Sequence, residues 1–283
     1  MAEKTKSVKK KNLSLWRRSP SLVIGSIIVL ATIFVALFPQ LFTSMDPLAQ
    51  NGQAMLSPPS AEHLFGTDNL GRDIFTRVIY ATRLDLLIGV GSMIVPFAFG
   101  SLLGLIAGYY GGKVDNVIMR ILDIFMAFPF MVLVIAVVAI LGPGVNNLLF
   151  AMWVVGWKEY TRLVRSEVLV IKNSEFVQAA RTLGYSNARI MFRHILPNVI
   201  SSSIVYGASD IVMCMMSAAS LSFLGLGVPA PTPEWGAIIA GGKSFLGTAW
   251  WICVIPGLVM AVVGWGFSLF GDGLSDILRG KTH

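Results

Sequence analysis

Uncharged runs of about twenty residues recur along this chain, and that pattern decides its solvent, because about 20 apolar residues coiled as a helix cross a hydrocarbon core of about 30 Å. The first runs from Leu22 to Phe38 and reaches about that length if Phe42 is included. With 55% hydrophobic and 13% charged residues and a mean hydropathy of +0.72, the 283 residues belong to the membrane class, and a soluble core is excluded.

Five further runs follow. Leu84 to Tyr110 carries Asp85 near its start, Pro96, and Gly100 with Gly104 as a small-xxx-small pair suited to close helix packing in lipid. Ile121 to Leu141 holds Asp123 and a kink expected at Pro129. Asn147 to Val164 ends in Lys158, Glu159 and Arg162, read as cations flanking an acid. Asn198 to Leu224 contains Asp210 beside Met213, Cys214, Met215 and Met216, and Trp250 to Phe270 is the sixth. The expected organisation is a basic tail over 1–20, a first span over 21–42, an external and mostly irregular segment over 43–82, and a five-helix core over 83–278. A cleaved leader is the rival for the first run, but Pro39-Gln40-Leu41 offers no small-residue cleavage site.

Six spans place both termini on one side. Of the 22 Lys and Arg residues, 18 then fall in the tail, the turn after the second span, the loop after the fourth and the C-terminus, so both termini are expected to be cytoplasmic. The net charge of +7 is thus a topology signal, with no groove-reading pattern for nucleic acid. Cys214 and Cys253 lie far apart within apolar runs and read as buried thiols.

One stretch between the spans is polar and amphipathic: Glu175 to Pro197, inside a loop spanning 172–197. Ser174 stands at an N-cap position, Glu175 where a helix dipole favours an acid, and Gly184 at a stop. Phe176, Ala180 and Leu183 share one face; Ser186 opens a second helix with Ile190, Met191 and Ile195 as its apolar stripe. The plain alternative is a helix lying on the membrane surface.

Catalytic chemistry is hard to place. Gly242-Lys243-Ser244 lacks the glycine a phosphate-binding loop needs five residues before its Gly-Lys pair, and no other phosphate cradle occurs. Asp123 and Asp210 could pair as in an intramembrane hydrolase, yet the Gly-x-Gly-Asp context is absent, with Leu269 standing where Leu269-Phe270-Gly271-Asp272 would need its first glycine. A passive channel is opposed only by the loop at 175–197.

Gln178-Ala179-Ala180, Gly184 four residues on and Leu196-Pro197 resemble the EAA loop of bacterial ABC importer permeases; Gln178 and His194 depart from its usual Glu and Ile. Phe65-Gly66-Thr67-Asp68-Asn69-Leu70-Gly71-Arg72-Asp73 is similar to a run of the dipeptide, oligopeptide and nickel branch, as are Ala107 to Gly112, Ser222 to Gly227, Pro231 to Gly236 and Gly271 to Leu274. In the first of these, Asp68 or Asp73 is expected to pair with Arg72 or Arg77 and hold a glycine turn. The resemblance implies an all-α type I permease fold with six transmembrane helices and cytoplasmic coupling helices. It also implies a second permease subunit, two ATPase subunits holding ATP and Mg, an extracytoplasmic binding protein and a bacterial inner-membrane location, with no catalytic, cofactor or metal site in this chain. Coupling to the ATPases would fall to Glu175, Gln178, Ala179, Ala180, Arg181, Gly184, Leu196 and Pro197. Asp210, Met213 and Cys214 are candidates for the translocation path. The implied cargo is a small peptide, with nickel, a metal chelate, an opine or another small solute as alternatives.

Overall fold

The computed structural model describes residues 19–279, so the basic run from Lys4 to Arg18 and the terminal Lys281 lie outside the described residues. Those residues form helices joined by turns, with a single isolated β-bridge between Thr67 and Asp73. Helix α1 (Pro20–Leu37) starts on a Ser19 cap, with Pro20 in the first turn where its missing N–H costs nothing. Its Ile27, Leu30 and Leu37 face outward, as lipid requires. It packs on the last helix, α9 (Trp251–Arg279), through glycines: a Cβ at Gly25 would meet the α9 backbone at Leu269 and Phe270, and Gly273 lies as close to the backbone of Leu22.

Helix α2 (Ile74–Tyr110) begins ten residues before the apolar run does. Asp73 caps it by accepting from the Thr76 N–H at 2.7 Å, and the early turns are sheltered by protein, with Arg77 and Thr76 buried. At 37 residues it is about 55 Å long, well beyond the hydrocarbon thickness, which is why hydropathy alone misplaces its start. Its long seam with α5 (Val145–Ile171) is built on Gly100, Gly104 and Gly108. A Cβ on Gly104 would sit 2.5 Å from the Thr161 carbonyl oxygen and 2.9 Å from the Val164 Cβ, so the expected small-residue contact is present.

The third run does not form one kinked span. Helix α3 (Gly112–Met126) and helix α4 (Phe130–Leu141) meet at 83° across a three-residue break. Pro129 pushes Phe128 out of helical geometry, and the freed Phe125 carbonyl accepts from the buried Lys158 ammonium at 3.3 Å. Lys158 therefore serves the break, while Glu159 pairs with Arg162 alone at 3.0 Å. Four described helices are long and apolar enough to cross a membrane, or five with the bent pair counted as one. Helix α5 is 27 residues long, and Arg165 engages a neighbouring element: it grips Asp115 in the first turn of α3 with two bonds of 2.5 and 2.6 Å.

The short helix α6 (Glu175–Thr182) precedes α7 (Asn187–Phe223). The expected second loop helix and fifth span are one continuous helix, whose stretch Ile190–Ile195 widens to a π turn. There the Leu196 N–H reaches back five residues to Met191, and this looser register lets the chain pass Pro197 without a break. The stretch between α7 and α9 contains helix α8 (Trp235–Gly242), whose Trp235 and Ile238 are buried in the bundle. Glu234, fully buried, caps α8 through the Gly236 and Ala237 N–H groups at 2.9 and 2.7 Å. The Trp235 N–H donates to Asp85 at 3.1 Å, and its indole N–H donates to the Val78 carbonyl at 3.1 Å. Asp85, an interruption when read as sequence, is the anchor for this helix.

Candidate functional site

Three polar structures stand on this apolar frame. At one end lies the segment before α2. Asp68 organises it: one carboxylate oxygen accepts from the Leu70 and Arg72 N–H groups at 2.8 and 3.0 Å, the other from the Arg72 guanidinium at 2.6 Å, and Arg77 approaches to 3.9 Å. Gly66 and Gly71 flank the turn at φ of 72° and 71°, a region that favours glycine. The expected Asp–Arg pairing holds for Asp68, whereas Asp73 caps α2 and bonds His63 at 2.9 Å. The Trp251 indole donates to the Thr67 carbonyl at 3.1 Å and ties the turn to α9.

At the opposite end of α2 lies the loop at 172–197. Gly184 has φ of 76° and ends α6, with the Tyr185 N–H returning to the Ala180 carbonyl at 3.2 Å. Ser186 caps α7 through the Arg189 N–H at 3.4 Å. Ser174 occupies the N-cap position of α6, but its hydroxyl donates to the Ile171 carbonyl at 2.7 Å and caps nothing. The face expected to be shared by Phe176, Ala180 and Leu183 is split. Val177 and Ala180 are buried against Ile190, Met191 and Ile195 of α7 and against the ends of α2 and α5. Phe176 and Leu183 are left 45% and 71% exposed. Glu175, Gln178, Ala179, Arg181, Gly184 and Pro197 are exposed as well, and Leu196 is half-buried. Seven of the eight coupling candidates thus reach the surface at least in part; Ala180 faces the chain's own core. Sequence reasoning missed the stay that fixes this loop, the Tyr109 hydroxyl donating to Asn187 at 2.7 Å, with Arg181 over the Tyr109 ring at 5.5 Å.

Between these ends, a cavity of about 330 Å³ is lined by Asp210, Met213, Cys214, Tyr206, Lys158 and Glu159, with Met126, Phe128 and Phe130 from the α3–α4 break. All three translocation candidates meet here. Asp210 accepts one hydrogen bond, from the Tyr160 hydroxyl at 2.8 Å. Tyr160 stacks edge-on against Tyr206 at 5.0 Å and Phe97 at 5.7 Å. Tyr206 also lines a second cavity, of about 770 Å³, whose wall is rich in hydroxyls: Ser201, Ser202, Ser209 and Ser275, with Glu167 accepting from Ser202 at 2.5 Å. The two tyrosines carried a readable signal, being hydroxyl-bearing side chains inside apolar runs.

A bundle of long apolar helices with open cavities that carry a few polar side chains, and with a folded polar loop at one end, is the frame of a multi-pass membrane transport subunit. Residues 100–283 match the family described as binding-protein-dependent transport system inner membrane component, and the chain belongs to that family. It is 45% identical to the dipeptide transport system permease protein DppC of Alkalihalophilus pseudofirmus, over 92% of this chain and 85% of that one. The oligopeptide permease protein OppC of Bacillus subtilis is 38% identical over 98% of this chain and 93% of its own length. The glutathione permease protein GsiD of Pectobacterium atrosepticum is 40% identical, with the same 98% and 93% coverage. Among solved structures, a chain of the MetNI methionine ABC transporter in an inward-facing conformation superposes with a TM-score of 0.53 at 18% identity, covering 70% of this chain and 94% of that one, and shows the shared fold.

Proposed function

We propose that this chain is one of two permease subunits of an ATP-driven importer that carries small peptides across the bacterial inner membrane by alternating access. Its partners in this reading are a second permease, two ATPase subunits that hold ATP and Mg, and an extracytoplasmic binding protein. Six crossings, with the broken α3–α4 pair and the charged α5 each counted as one, put both termini in the cytoplasm. The observation that carries the reading is 45% identity to a dipeptide permease along 92% of the chain, joined to a cavity where Asp210, Met213 and Cys214 meet. The nickel or metal-chelate alternative has no counterpart among the relatives named above.

The ATPases engage the face of α6 that bears Phe176, Ala179 and Leu183, with Glu175, Gln178 and Arg181 around it. Ala180 seats that helix on the core, Gly184 ends it, and Leu196 and Pro197 lie at the surface of the helix that follows. The test is uptake of a labelled dipeptide into proteoliposomes holding the four membrane-associated subunits. Uptake that requires both enclosed ATP and external binding protein is the expected result, and flux that needs neither would make the chain a channel.

A further inference from the structure

We infer that Asp210 is the seat for the free amino terminus of the transported peptide, an inference that rests on the importer reading above. The carboxylate opens onto a cavity of about 330 Å³ and accepts only from a neutral phenol. Among the described residues, no Lys, Arg or His lies within ion-pairing distance of it. The other charges on the same cavity are already engaged: Lys158 is buried on the Phe125 carbonyl, and Glu159 faces Arg162. A half-buried carboxylate with no cation in ion-pairing distance leaves its charge open to a ligand, and here the remaining walls supply what an ammonium group prefers. Tyr206, Phe128 and Phe130 line the same cavity as Asp210, and aromatic rings are favourable company for a cation. A metal ion would want further ligands, and the described residues do not gather three His, Cys, Asp or Glu side chains in one place. A primary ammonium needs only the carboxylate and the rings.

The position suits transit as well as binding. Tyr206 lines both this cavity and the larger, serine-lined one, so a peptide held at Asp210 by its amino end has hydroxyls for its amides in the adjoining cavity.

The test replaces this chain by Asp210→Asn, Asp210→Glu or Tyr160→Phe in the assembled transporter. It reads uptake of labelled alanyl-phenylalanine together with copurification of the second permease and the ATPases. Asn keeps an oxygen that accepts from Tyr160, so the phenol stays in place while the charge is lost; uptake is expected to fall at least tenfold with copurification unchanged. Glu is expected to keep a third or more of the uptake, and Tyr160→Phe, which spares the carboxylate, to stay within about threefold of the parent. Uptake by Asp210→Asn within twofold of the parent would overturn the inference. So would equal losses in Asp210→Asn and Tyr160→Phe, which would make the pair a structural strut, or loss of the second permease from Asp210→Asn, which would assign the cation to that partner. Failure of the unaltered complex to move any dipeptide would instead overturn the importer reading itself.

Discussion

Removing the apolar side chains that α6 leaves uncovered tests the coupling assignment with a magnitude attached. Phe176 is 45% and Leu183 71% exposed, and seven residues' separation places them on one side of the helix with Ala179 between. Fully burying a Phe or Leu side chain contributes about 1.5–3 kcal/mol, so covering what remains open is worth about 1 kcal/mol at Phe176 and about 1.5 kcal/mol at Leu183. Phe176→Ala combined with Leu183→Ala should therefore weaken ATPase docking by about 2.5 kcal/mol, or about 70-fold in Kd. Titration of labelled ATPase subunits against the permease pair in nanodiscs measures that directly. Ala180→Asp provides the contrast: at 3% exposure within its own chain's core, it should lower the thermal stability of the permease before any partner is added. A double alanine variant whose Kd stays within twofold of the parent would refute the docking face.

Three further outcomes are expected. Gly104→Ala should overpack the α2–α5 seam by about 1–3 kcal/mol and lower the melting temperature in detergent, while Gly91→Ala, whose nearest neighbour is a flexible Leu149 methyl at 3.3 Å, should leave it unchanged. Asp68→Asn keeps the acceptor for the Leu70 and Arg72 N–H groups but strips the charge facing two arginines, at a cost of about 3 kcal/mol, and should expose Arg72 and Arg77 to limited trypsin digestion. In a background lacking Cys214 and Cys253, Ser60→Cys should react with an impermeant thiol reagent in intact spheroplasts and Ala188→Cys only after permeabilisation; the reverse order would invert the topology.

What the residues announced and what they hid divides along physical lines. The glycine turn at Asp68 and the α2–α5 glycine contact were legible because each depends on residue type at short spacing. The start of α2 was not, since Arg77 and Thr76 are buried by protein, and hydropathy scores only burial in lipid. The 83° break was read as a kink because Pro129 signals a disturbance without its angle; the partner that takes the freed Phe125 carbonyl, Lys158, comes from a different helix and is not signalled at Pro129. Amphipathicity revealed α6 but grouped Ala180 with Phe176 and Leu183 on one face, whereas packing on the neighbouring helix ends pairs Ala180 with Val177 and leaves the other two open. Asp210, Met213 and Cys214 were grouped correctly by sequence proximity, whereas Tyr160 and Tyr206 join Asp210 only through helix packing.

The unbroken course of α7 makes the molecule a lever. From Asn187 to Asp210 the helix rises about 35 Å, and α6 is fastened to its lower end by Val177 and Ala180 on Ile190, Met191 and Ile195. The π turn at Ile190–Ile195, to which α6 is fastened, interrupts the regular register of the rod. A tilt of about 5° there would carry Asp210 sideways by roughly 2 Å over the 15 residues between, enough to part a carboxylate from whatever it holds.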